Sequence, residues 1–157
     1  MQKPTPNLWF DGNAEEAMNF YLSTFPNSKV LSISRYGDAG PGPSNSVLTV
    51  AFEINGREFI GINGGPHFRF TPAVSFSVLC ETQDEIDYLW DRLLDGGAPS
   101  QCGWLTDKFG LSWQIVPAIL PKYLGDEDRR KANLVMEAML KMVKLDIAAL
   151  KSAYEQG

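Results

Sequence analysis

The chain writes one unit twice. Around residues 7–28 an apolar run, NLWF, is followed by a capped amphipathic segment, NAEEAMNFYLSTF, and a turn, PNS. Around residues 74–98 the order recurs as VSFSVLC, TQDEIDYLWDRLL and DGGA. Laid helix on helix, Asn13 falls on Thr82, Glu16 on Glu85, Ala17 on Ile86, Phe20 on Leu89 and Tyr21 on Trp90, a constant offset of 69 residues. No other feature constrains the fold as much. Two copies of a strand–helix–strands unit are expected to close on each other, with a binding site where they meet.

Each expected helix carries a start, a stripe and a stop. Asn13 and Thr82 stand where an N-cap oxygen belongs, with Glu16 and Glu85 three residues on. That is the capping-box pattern, strict for Thr82 and approximate for Asn13. Ala17, Phe20, Tyr21 and Phe25 mark one buried face; Ile86, Leu89, Trp90, Leu93 and Leu94 mark the other. Pro26 ends the first helix because it has no N–H to give. Gly96-Gly97 ends the second, suited to a left-handed cap.

Three strands are expected after the first helix: Lys29–Tyr36, Ser46–Ile54 and Arg57–Asn63. The second alternates, with Leu48, Val50, Phe52 and Ile54 on one face, and Asn55-Gly56 signals a tight hairpin into the third. After the second helix the strands are shorter: Pro99–Gly103, Trp104–Lys108 and Leu111–Val116, the last pair turning at Phe109-Gly110. Matching the two hairpin turns, Gly56 to Gly110, drops the offset to 54 residues. The first unit therefore carries about fifteen extra residues, centred on the Gly/Pro-rich stretch Gly37–Asn45. Such a stretch is an exposed loop, either a lid or dimer contact or a mobile hairpin tip. Residues 64–72 link the units. Past Pro117 the chain turns helical: Ala132, Val135, Met136, Met139, Met142 and Val143 form a stripe read as core, and Asp146 caps a last helix through Tyr154. The boundaries are units at about 4–63 and 72–117 and a helical tail over 118–157.

Composition excludes several classes. A net charge of −5 argues against nucleic acid, whose phosphates need clustered Lys and Arg. No apolar run approaches the roughly 20 residues that span a bilayer, and the N-terminus shows no signal-peptide core. Cys80 and Cys102 are too few for a disulfide or zinc framework, which makes a reducing cytoplasm the expected location.

The doubled strand–helix–strand–strand–strand order resembles the vicinal-oxygen-chelate superfamily, the glyoxalase and bleomycin-resistance fold. The segments LWFDGNAEEAMNFY (8–21), SRYGDAGPGP (34–43), NGGPHF (63–68) and CGWLTDKFGLSWQIVP (102–117) are similar to its PhnB-like branch, often labelled demethylubiquinone methyltransferase. The resemblance implies an α+β fold of two βαβββ units forming a glyoxalase-like cup, here with a C-terminal helical extension, and a homodimer. Metal-using members place His, Glu or Gln at the start of each unit's first strand and on each last strand. Carried over, those positions are Thr5–Asn7, Ile60, Ala73–Ser75 and Gln114. Only Gln114 suits a metal, so no metal and no cofactor is expected. The methyltransferase label gains no support from the residues. Gly40-Pro41-Gly42 and Gly61–Gly65 do not open a helix after a strand, as a nucleotide-binding turn requires.

His67 is the only histidine. It reads either as a pocket residue where the units meet or as a loop histidine bonded to a carbonyl, and the second reading is favoured. Cys102 would need a nearby cation or helix N-terminus to become reactive, so a small buried strand cysteine is favoured there. Trp9, Phe10, Trp104 and Trp113 suit an apolar or planar ligand, or fill the core. Asn63, Ser75, Ser77 and Gln114 would orient such a ligand. Strand alternation puts Trp113 and Gln114 on opposite faces. Asp11, Asp107 and Lys108 read as strand-end and turn residues, and Asp126-Glu127-Asp128 as a solvated helix start. The ligand-binding set expected is Trp9, Asn63, His67, Ser75, Ser77, Trp104 and Gln114; His67 and Cys102 are the candidates for catalysis. The leading function is metal-independent binding of a small apolar or aromatic molecule. The alternatives are an enzyme on a quinone-like or aromatic substrate and, disfavoured, a metal-dependent lyase or dioxygenase.

Overall fold

An apolar tetrapeptide, a helix and three more strands build the first half of the computed structural model, which describes residues 1–157. The chain divides into two units, Met1–Phe70 and Thr71–Gly157. In the first, β1 (Asn7–Phe10) and α1 (Ala14–Thr24) precede β2 (Ser28–Arg35), β3 (Val47–Ile54) and β4 (Arg57–Asn63). The strands lie in the order β1-β4-β3-β2. β1 runs parallel to β4, with Asn7 opposite Ile60 and Phe10 opposite Asn63. Asn55 and Gly56 both have positive φ (47° and 79°), the conformation a two-residue hairpin between β3 and β4 demands.

One face of this sheet is buried under α1. Leu8, Phe10, Val50, Phe52 and Phe59 are all buried with Ala17, Met18 and Tyr21 of the helix. Tyr21, Phe52 and Phe59 stack in series, at ring distances of 6.1 and 5.6 Å. Burying one such side chain is worth about 1.5–3 kcal/mol. Gly61 lets the helix close on the sheet: a Cβ there would lie 2.9 Å from Val50 Cγ2 and 3.3 Å from Ala14 Cβ. The expected stripe needs one amendment. Met18 is buried where Phe20 was expected, and Phe20 is only half-buried.

The second unit repeats the plan. β5 (Ser75–Cys80) and α2 (Gln83–Leu94) precede β6 (Ala98–Pro99), β7 (Trp104–Thr106) and β8 (Ser112–Pro117), in the order β5-β8-β7-β6. Leu105, Trp113 and Ile115 share its buried face, and Ile86, Leu89, Trp90 and Leu93 are the buried side of α2. The expected strand over Pro99–Gly103 shrinks to two residues. Pro99 has no N–H for a ladder, and Cys102 and Gly103 turn left-handed at φ 57° and 82°. Cys102 is therefore a turn residue rather than a strand residue. Both units are βαβββ, and the α+β class expected from the sequence is the one observed.

The tail forms α3 (Leu120–Leu124), α4 (Arg129–Leu140) and α5 (Ile147–Glu155), with Asp146 capping α5 through Ala149 N–H at 2.8 Å. Leu120, Val135, Leu145 and Leu150 are its core. The methionine stripe is only partly internal. α4 ends at Leu140, and Met136 and Val143 are 39% and 42% exposed. The reason is that Met142 and Val143 leave the helix to give their carbonyls to Cys102 N–H (2.9 Å) and Gly103 N–H (2.7 Å). Gln83 grips the same segment, donating to Leu145 O at 3.1 Å and accepting from Ile147 N–H at 2.8 Å. No helix is long and apolar enough to cross a membrane.

The two helix starts differ in a way the sequence pattern did not convey. Thr82 and Glu85 form the full capping box. The Asn13 side chain makes no cap bond, and the Ala14 N–H instead donates to Asn63 Oδ1 at 2.9 Å. Thr82→Ala is thus expected to cost about 1 kcal/mol in urea unfolding, and Asn13→Ala no more than about 0.5 kcal/mol. Equal losses from the two substitutions would show that Asn13 caps after all.

Candidate functional site

The first unit contains a cavity of about 510 Å³ at the N-terminal end of α1. Three segments enclose it: the β1–α1 turn with Asp11, Gly12 and Glu15; the end of β4 with Asn63, Gly64, Gly65 and His67; and the β2–β3 connection with Tyr36, Pro41, Gly42, Pro43, Ser46 and Val47. Each segment bends there for a local reason. Gly12 and Gly65 adopt φ of 81° and 91°, values that side chains disfavour. Gly64 must lack a Cβ, because one would run into the Trp9 indole.

Asn63 is the hub. Its Oδ1 accepts from Ala14 N–H at 2.9 Å, its Nδ2 donates to Val47 O at 3.1 Å, and its carbonyl accepts the Tyr36 phenol at 2.7 Å. Its amide is therefore committed to the protein on both sides. Trp9 supports the next two residues from the other side of the chain: its Nε1 donates to Gly65 O at 2.9 Å and its ring meets Phe68 edge-on at 4.9 Å. Trp9 does not line the cavity; Asn63 and His67 do. His67 is exposed.

Ser75, Ser77, Trp104 and Gln114 belong to the second unit. The register sets Ser77 and Trp104 on either side of Gln114, and Ser75 beside Ser112. These residues therefore share the sheet face opposite Trp113. Gln114 Nε2 donates to Ser75 Oγ at 2.9 Å. Ser112, unremarked in the sequence, is 2% exposed and its hydroxyl has no hydrogen-bond partner.

The remaining candidates are structural. Asp107 is 2% exposed. Its carboxylate accepts from Phe109 N–H (2.9 Å), Leu111 N–H (3.1 Å) and Trp113 Nε1 (2.9 Å), which pins the β7–β8 turn. Lys108 is exposed, with Nζ 5.4 Å from the Phe109 ring centre. Cys102 is half-buried and lines no part of the cavity. Cys80 is buried, and desolvation, then the nearby Glu85, push its thiol up to about 11. It is no nucleophile at neutral pH.

The positions that carry metal ligands in metal-using members of the resembled fold hold few donor side chains here. Ile60 has no donor atom and lies opposite Asn7, and the Gln114 amide is bonded to Ser75. Nowhere are three His, Cys, Asp or Glu side chains gathered closely enough to hold a metal ion. What the cavity offers is different: its lining combines Tyr36, Pro41, Pro43 and Val47 with Asp11, Glu15 and His67. Such a surface can hold a small molecule and hydrogen-bond to it, and His67 is the one imidazole on its lining.

Tyr36, Glu15 and the Pro41–Pro43 wall were not picked out from the sequence. A signal existed in the spacing of Gly40 and Gly42 behind Tyr36, two residues without side chains beside a large ring.

The comparisons agree on the family. A family model described as 3-demethylubiquinone-9 3-methyltransferase matches residues 2–116. A PhnB protein from Bacillus cereus is 45% identical, over 74% of this chain and 100% of its own, with a TM-score of 0.68. A Pseudomonas aeruginosa protein, 20% identical over 74% of this chain and 98% of its own, superposes with a TM-score of 0.62. The fosfomycin resistance protein FosX of Listeria monocytogenes, 15% identical over 80% of this chain and 98% of its own, does so at 0.55. These last two show the fold alone. None of the curated proteins matches the chain in sequence.

Replacing Asn63 by Ala removes the acceptor for the first helical N–H and a half-buried donor together, an expected loss of about 2 kcal/mol in urea unfolding. Asn63→Asp keeps the acceptor for Ala14 and is expected to recover about half of that. If the aspartate does no better than the alanine, the cap contributes nothing.

Proposed function

The chain belongs to the family described as 3-demethylubiquinone-9 3-methyltransferase, with the vicinal-oxygen-chelate fold, and on that footing we propose that it binds a small apolar or aromatic molecule without a metal. The observation that carries this reading is the cavity of about 510 Å³ at the head of α1, inside the roughly 300–1,000 Å³ that small-molecule pockets occupy. Its wall pairs flat apolar groups with a few convergent polar ones, the usual division between affinity and orientation.

Binding needs no general base, and this suits a chain with one histidine. The alternative, an enzyme on a quinone-like or aromatic substrate, draws its support from His67 at the cavity edge. Cys102, the other candidate, stands at the β6–β7 turn of the second unit and does not line this cavity. The test is mass spectrometry of molecules released when the freshly purified protein is denatured, with a His67→Ala variant alongside. A stoichiometric aromatic molecule held equally by both proteins is the expected result. Loss of that molecule's chemical conversion in the variant would favour the enzyme, and a protein that carries and binds no small molecule would sink the proposal.

We also propose a homodimer. β2 is an edge strand, and its Val30, Leu31 and Ile33 are 46%, 42% and 39% exposed. An apolar edge of that length is ordinarily covered. Light scattering at micromolar concentration is expected to give twice the chain mass; a monomer would refute the pairing.

A further inference from the structure

The Gly37–Asn45 connection folds back on the residue before it. Tyr36 N–H donates to Ser46 O at 2.8 Å, and Asn45 N–H returns to Tyr36 O at 2.8 Å. Within the loop, Ser46 N–H reaches Pro43 O at 3.1 Å and the Ser44 hydroxyl reaches Asp38 at 2.8 Å. The loop is thus a closed unit built on Tyr36, with a ring at its centre. A Cβ on Gly40 would lie 2.5 Å from Tyr36 Cδ1, and one on Gly42 2.5 Å from Cε2. Neither glycine has a positive φ, so the loop requires their missing side chains, not an unusual backbone.

The ring is held at its flanks by the loop and at its tip by β4, where the phenol donates to Asn63 O at 2.7 Å. No other hydrogen bond joins the loop to β4. Asn63 Nδ2 holds Val47 O at the foot of the loop, the phenol holds its ring to β4, and Pro41, Gly42 and Pro43 line the cavity with Asp11, Glu15 and His67. We propose that Tyr36 is a latch: it positions the Gly37–Asn45 loop as a strap along the cavity, and release of its phenol from Asn63 lets the strap move off β4. What the strap governs, access of a ligand, rests on the binding reading above; the latch itself stands on the geometry of ring, glycines and carbonyl. Tyr36 is a positioning residue and touches no reacting atom. One neutral hydrogen bond biases such an equilibrium by about fivefold, enough to keep the strap mostly closed and too little to lock it.

The test uses the full chain, with amide hydrogen exchange and proton NMR. Tyr36→Phe is expected to speed exchange across residues 37–46 about fivefold, while the amides of β3, β4 and α1 stay as protected as before. Gly40 and Gly42 α-protons should carry ring-current shifts in the wild type. Those shifts should shrink in Tyr36→Phe even though an aromatic ring remains, which a mere packing role for the ring would not produce. Gly42→Ala should loosen the loop likewise, yet add nothing in a Tyr36→Ala background, because the ring it would strike is gone. Unchanged exchange and intact ring shifts in Tyr36→Phe would overturn the latch. A wild-type protein that binds no small molecule would end the binding reading and leave these measurements, and the latch, untouched.

Discussion

The candidate site of the first unit hangs on one side-chain amide. Asn63 ends β4, and from there it satisfies the first free N–H of α1, holds the start of β3 through Val47, and receives the Tyr36 phenol on its carbonyl. A buried amide left unpaired is expensive, and an amide has both a donor and an acceptor to place. Meeting both within the protein fixes three segments that are far apart in sequence. Asn63 shares the cavity lining with Asp11, Glu15, Ser46 and His67.

The second unit shows that this arrangement is a choice and not a requirement of the topology. There the helix start is capped within its own first turn by Thr82 and Glu85. The strand end that pairs with Cys80, as Asn63 pairs with Phe10, is Pro117, which has no side-chain hydrogen-bonding group at all. The two copies keep the same strand order and parallel first-to-last pairing while satisfying their helix N-termini by unrelated means. The same divergence governs the metal positions. Ile60 and Gln114 hold matching places on the two last strands, and only one of them has an oxygen to offer. Duplication preserves the backbone plan, which burial enforces, more faithfully than the chemistry, which burial does not.

Much of the fold was legible because it is written in short-range terms. β1, β4 and α2 fall on the residues expected, since each is bounded by a local stop: Pro6 and Asp11, Gly56, Thr82 and Gly96. The errors have a common origin in distant partners. Asn13 has the side chain of a cap but makes no cap bond, and the first helical N–H, that of Ala14, goes to Asn63 at the end of β4. Cys102 reads as a strand residue and is a turn, because the tail supplies carbonyls that stabilise a left-handed bend there. The site was less legible still. Asn63 and His67 could be named, yet Tyr36 and the Pro41–Pro43 wall acquire meaning only when the loop folds onto a ring.

The tail clarifies what sequence distinctiveness is worth. The family match ends at residue 116, and the PhnB protein of Bacillus cereus has no counterpart for a quarter of this chain. The segment Met142–Ile147 of that tail is seated on Cys102-Gly103 and on Gln83 of α2, with Lys144 reaching Asp87 at 2.8 Å. Lys144, then Gln83, hold the Asp87 carboxyl below the usual carboxylate range. The block from Cys102 to Pro117 is the most specific stretch in the sequence, and a search for chemistry starts there. Its most constrained residues turn out to carry structure: Gly103 because Leu145 and a carbonyl crowd its missing Cβ, and Asp107 because three N–H groups converge on it. A buried carboxylate with three donors is as demanding of its identity as a catalytic one. Specific residues at a turn therefore point to a site only when the turn faces a cavity, and the block from Cys102 to Pro117 lines no part of the cavity at the head of α1.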